Sequence, residues 1–151
     1  MKGVEKIKQK LVSFCLEFVN KKQATFNIII ESNKKALHSE TKSSAGDKHE
    51  TGRAMIQLEM EKASQQLIAI QEMKKTIQKL ATTHVSTIVR LGSLVKTENA
   101  TYFLAISAGK ISIDSIDYFV VSTKSPIGQQ LLGKNVGDYI PFNATTILEV
   151  N

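Results

Sequence analysis

The sequence predicts an α+β protein: a long antiparallel helical hairpin, coiled-coil-like, followed by a small antiparallel β-sheet domain with one short helix. Three observations lead there. The first 80 or so residues carry two apolar stripes at helical spacing with a short polar break between them. Proline is confined to Pro126 and Pro141, both in the second half. From about Val85 onward, β-branched and aromatic runs alternate with turn residues.

The first helix is expected from Val4 to about Glu40, a stretch with neither proline nor glycine. Val4, Ile7, Leu11, Phe14 and Phe18 step by three and four, and the stripe is expected to resume around Ile28 and Ile29 before thinning through Lys34, Lys35 and His38. Thr41 to Gly46 is small and polar, the composition of a turn. Met60, Ala63, Leu67, Ile70, Met73, Ile77 and Leu80 then mark a second long helix. Two helices of about 30 or more residues on a short connection must be antiparallel neighbours, each about 45 Å or longer. With one stripe apiece they satisfy each other and not a larger bundle, so the hairpin is expected to protrude. The stripes are too irregular for a strict heptad seam.

In the second half, five strands are expected at Gly92–Val95, Thr101–Ser107, Tyr118–Ser122, Asp138–Phe142 and Thr146–Val150, with turns at Glu98-Asn99-Ala100 and Asn143-Ala144. Tyr102, Phe103, Phe119 and Phe142 are expected to supply its aromatic core. Ser125-Pro126 opens a short helix that Leu131, Leu132 and Gly133 close. Residues 1–84 are thus read as the hairpin, with its tip near 41–50, and residues 85–151 as the β-rich domain.

Charge is unevenly placed. Met1 to Arg90 hold 16 Lys and Arg against 9 Asp and Glu, and Leu91 to Asn151 hold 4 against 5. A basic N-terminal half suits a polyanion or an acidic protein surface, or simply solvates long helices. The single Cys15 excludes an intrachain disulfide and the CxxC patterns of zinc sites; beside Phe14 and Phe18 it reads as a packed residue. His38, His49 and His84 have no metal-cage spacing. The start Met1-Lys2-Gly3-Val4-Glu5-Lys6 has no apolar leader, and no apolar run reaches the roughly 18 residues of a membrane span. A cytoplasmic protein with no membrane partner is expected.

At the tip stands Asp47-Lys48-His49-Glu50. One reading is a capping box, with Asp47 as N-cap and Glu50 three residues on. The other is a pair of oxygen donors presented to something outside the protein, an incomplete magnesium site whose remaining ligands a partner supplies. One carboxylate can serve both ends. Lys34, Lys35, Lys42, Lys48 and Arg53 surround these acids in sequence and suit phosphates near them.

Taken in order, the first helix, Ser44-Ala-Gly-Asp-Lys-His-Glu50, the second helix and Phe119-Val-Val-Ser-Thr-Lys-Ser-Pro-Ile-Gly-Gln-Gln-Leu-Leu-Gly-Lys-Asn-Val-Gly-Asp138 resemble the GreA/GreB family of bacterial transcript-cleavage factors. The C-terminal motif is the more specific of the two. The resemblance implies an FKBP-like second domain that docks at the rim of the RNA polymerase secondary channel, with the coiled coil entering the channel. It implies that Asp47 and Glu50 help the polymerase hold a second magnesium for cleavage of backtracked RNA. The factor then needs no cofactor of its own, acts as a monomer near the RNA 3′ end, and is not an enzyme by itself. Lys124, Ser125 and Pro126 fall where that family contacts polymerase.

The sequence departs from the family after the second acid, where Thr51, Gly52, Arg53 and Ala54 replace the usual Asn, small residue, acid and Tyr, and at Lys48, which replaces an apolar residue. This motivates an alternative, a secondary-channel regulator that does not promote cleavage. A coiled-coil adaptor without tip chemistry and a prolyl isomerase are further alternatives.

Overall fold

The computed structural model describes residues 2–42, 46–80 and 86–151, and for residues 2, 40–42 and 46–50 their secondary structure alone. Two long helices, α1 (Lys2–Lys42) and α2 (Gly46–Lys79), pack together. Six strands follow: β1 (Leu94–Thr97), β2 (Thr101–Ala105), β3 (Gly109–Ile113), β4 (Ile116–Ser122), β5 (Tyr139–Ile140) and β6 (Thr145–Val150). The short helix α3 (Pro126–Leu131) lies between β4 and β5. The expected α+β class and the helical pair are what the chain adopts.

The α2 stripe was legible: Ala63, Ile70, Ile77 and Leu80 are buried, and Met60, Leu67 and Met73 are half-buried between them. The far half of α1 differs from expectation. Ile28 is 71% and Ile29 42% exposed, so neither continues the stripe. The covered residues include Val19, Gln23, Phe26, Ile30, Asn33 and Leu37, whose spacing alternates four and three, with Ala36 half-buried beside them. That is heptad spacing, masked in the sequence by two amides on the covered face.

By contacts the chain forms two compact units, Val19–Met73 and Met1–Phe18 together with Lys74–Asn151. The second unit contains the ends of both helices and the whole sheet. The expected boundary after residue 84 lies outside the described residues.

The sheet order is β3-β4-β2-β1-β6-β5. All neighbouring pairs are antiparallel except β2 and β4, which run parallel because β4 occupies the slot between β2 and β3. The expectation of five strands missed β3, which pairs with β4 from Gly109↔Val120 to Ile113↔Ile116. Its two-residue turn, Asp114-Ser115, has φ of 52° and 68°. Both values are positive, as a type I′ hairpin requires, yet neither residue is glycine. The expected turns at Glu98–Ala100 and Asn143-Ala144 join β1 to β2 and β5 to β6.

The core of this unit is Val89, Val95, Leu104, Leu131, Ile140 and Ile147, with Tyr102, Val121, Ile127 and Val150 against it. Phe103 is buried as expected, and Tyr102 and Phe119 are half-buried with ring centroids 5.9 Å apart. Phe142 is instead 59% exposed, because β5 ends at Ile140 and Phe142 sits in the following turn.

Candidate functional site

Two places hold the residues that the sequence singled out, one in each compact unit. The first is the break between α1 and α2. Asp47 and Glu50 are the second and fifth residues of α2, which begins at Gly46. Asp47 thus lies inside the helix and not before it, as an N-cap would. The side chains of Asp47, Glu50, Lys42 and Lys48, like that of His49, lie outside the described residues. Carboxylate oxygens are the kind of donor that a hard cation takes. Lys34 and Lys35 near the end of α1 and Arg53 near the start of α2 are exposed, as is His38. Among the described residues no group of three His, Cys, Asp or Glu side chains could hold a metal ion. His84 lies outside the described residues.

The second place is the corner where β4 passes into α3. Ser125 has an extended backbone and caps α3, its Oγ accepting from Gly128 N at 3.1 Å. The same hydroxyl donates to Ser122 O at 2.6 Å, and Ser125 N donates to that carbonyl at 3.1 Å. Pro126 follows at the first helical position, where its missing N–H costs nothing. Lys124 N donates to Ser122 Oγ at 3.1 Å, and Lys124 O accepts from Gln129 Nε2 at 3.1 Å. These bonds fix the backbone of 122–129. The Lys124 side chain and Pro126 are exposed on it, while Ser125 is half-buried.

Gly128 is dictated by the same corner: a Cβ there would meet Ser122 O at 2.0 Å and Thr123 Cα at 2.9 Å. The Leu-Leu-Gly-Lys and Gly-Asp portions have local causes too. Leu131 is fully buried, and Gly133, with φ of 78°, closes α3 while its N–H donates to Val89 O at 2.9 Å. Asp138 Oδ2 accepts from Asn135 N at 2.8 Å, and Asp138 N returns a bond to Asn135 O at 3.1 Å. Gly137, with φ of 91°, donates to Ile147 O at 2.8 Å.

Cys15 is fully buried, and burial raises its thiol to about 11 against a weaker opposing backbone hydrogen bond from Ile106. A thiol so held is not a nucleophile, in agreement with its reading as a packed residue. No described helix is long and apolar enough to cross a membrane. No family model matches this chain, and no curated protein matches it.

Sequence reasoning missed one further feature, an open groove of about 520 Å³ between the first turns of α1 and β3. Its walls come from residues about 100 positions apart, and its strand wall is β3, the element that the sequence concealed.

Proposed function

We propose that this protein is an accessory factor of bacterial RNA polymerase, of the GreA/GreB kind, acting in the cytoplasm on elongation complexes whose RNA has backtracked. The observation that carries the reading is the placement of Asp47 and Glu50 among the first five residues of the second of two long packed helices, ahead of a β-rich domain with a rigid Ser125-Pro126 corner. The C-terminal motif adds less weight, because the corner's own geometry already accounts for Ser125, Pro126 and Gly128.

In this reading the β-rich domain, FKBP-like in the family, docks through Lys124, Ser125 and Pro126, and the hairpin's turn enters the secondary channel. Asp47 and Glu50 provide two oxygen donors three residues apart, too few for magnesium alone and suited to completing a site that polymerase shares. A magnesium ion held jointly there supplies activation of the attacking water. Lys34, Lys35, Lys42, Lys48 and Arg53 attract the phosphates of the RNA 3′ segment. The protein itself is then not an enzyme, needs no cofactor of its own and acts as a monomer.

A second reading is favoured by Thr51, Gly52, Arg53 and Ala54 after the acids. Arg53 is exposed and basic where the family carries an acid, so the factor could fill the channel and block substrate entry without promoting cleavage. Stalled elongation complexes with the cognate polymerase separate the two. Cleavage that Asp47→Ala with Glu50→Ala abolishes supports the first, and competition for the channel without cleavage supports the second. Neither cleavage nor competition overturns the polymerase assignment.

A further inference from the structure

We propose that the groove between the start of α1 and β3 takes an extended segment of a partner protein, acidic at one end and basic at the other, which adds as a strand to β3. This goes beyond the polymerase reading and does not depend on it. The groove lies wholly within the compact unit that contains Met1–Phe18 and the sheet.

One wall is a single face of α1, with Lys6, Lys10, Phe14 and Glu17 at helical spacing. The other is Ile111 and Ile113, two residues apart and therefore on the same face of β3. β3 ends the sheet and, among the described residues, pairs only with β4, so its outer edge presents main-chain donors and acceptors to an incoming chain. A segment paired to that edge would point alternate side chains the way Ile111 and Ile113 point, into the groove and toward α1.

The charges specify the occupant. Lys6, Lys10 and Glu17 are exposed, and none makes an ion pair among the described residues. Both lysines lie at one end of the α1 face, Phe14 in the middle and Glu17 at the other end. Lys6 and Glu17, eleven positions apart, are separated by about 16 Å of helix, a length that about five extended residues cover. The complementary side chains are an acid against the lysines, aliphatic groups against Phe14, Ile111 and Ile113, and a base against Glu17.

The probe is a fluorescein-labelled Asp-Thr-Val-Thr-Val-Thr-Lys peptide, with a Lys-Thr-Val-Thr-Val-Thr-Lys peptide as control, titrated into the full chain. Saturable binding of the first is expected, weakened about tenfold by Lys6→Glu with Lys10→Glu and by replacing its acid with lysine. Both substituted positions are exposed, so the variant folds; its circular dichroism and melting profile verify this. Amide exchange should slow at Gly109–Ile113 when the probe is bound. Absence of saturable binding, indifference to the charge reversal, or protection confined to α1 would each overturn the proposal. So would self-association of the free chain that itself protects β3, which would make a second copy the occupant.

Discussion

Replacing Gly128 by alanine tests the β4–α3 corner most sharply. The added methyl would stand 2.0 Å from Ser122 O, about 1.4 Å inside the 3.4 Å at which ordinary contact begins. The obstruction is backbone: Ser122 O already accepts from both Ser125 N and Ser125 Oγ, and the next contacts are Thr123 Cα at 2.9 Å and Ser122 C at 3.0 Å. None of these can rotate away. α3 must therefore move, and its movement breaks the Ser125 Oγ cap and displaces fully buried Leu131. Overpacking of this kind costs about 1–3 kcal/mol and loss of a cap about 1 kcal/mol, so a loss of about 2–4 kcal/mol is expected. Urea unfolding followed by circular dichroism reads it as a lower midpoint at unchanged slope. Gly3→Ala, with nothing within 4 Å of the new methyl, serves as the open control. A loss below about 0.5 kcal/mol, the range of ordinary surface substitutions, would refute the account of the corner.

Three further outcomes are expected. Asn33→Leu should raise hairpin stability by about 1 kcal/mol in thermal unfolding, because Asn33 is 8% exposed and its Nδ2 is without a partner; hydrogen exchange should then show a less specific register between the helices, as when a buried amide is lost from a heptad seam. Cys15 should resist thiol reagents in the folded protein at neutral pH. Its pKa is raised from 9.0 to about 11, so the folded state keeps its proton where the unfolded state loses it. The resulting stability is full below pH 9.0 and declines as pH rises toward about 11. It amounts to at most about 3 kcal/mol, and Cys15→Ser should flatten that alkaline limb of the stability profile. Finally, Lys34→Glu with Lys35→Glu should lower affinity for backtracked complexes and reduce its salt dependence, with melting temperature unchanged because both side chains are exposed.

What could be read from the sequence depended on how far each element relied on its own residues. α2 announced itself, since the covered residues from Met60 to Leu80 are apolar except for half-buried Thr76. The far half of α1 did not: Gln23 and Asn33 interrupt its covered seam while Ile28 and Ile29 face outward. β3 was concealed by a hairpin turn that uses Asp114 and Ser115 where glycine is the usual signal, and by only two apolar residues, Ile111 and Ile113. The Ser125-Pro126 start of α3 was legible because capping is a local interaction. Gly128 became intelligible only once β4 was placed against α3, since what forbids a side chain there is Ser122 O. The tip acids could be picked out from residue type and position, but the groove beside β3 could not, because it joins α1 to a strand about 100 residues away.

The polymerase reading stands most directly on where the hairpin's turn goes. A photo-crosslinking amino acid in place of Lys48, activated in backtracked complexes carrying RNA labelled at its 3′ end, should attach to the extruded RNA or to the walls of the secondary channel. The attachment should weaken when Ser125 and Pro126 are replaced by residues that keep α3 folded. Attachment only to the outer surface of polymerase, or none at protein concentrations that saturate binding, would contradict the account.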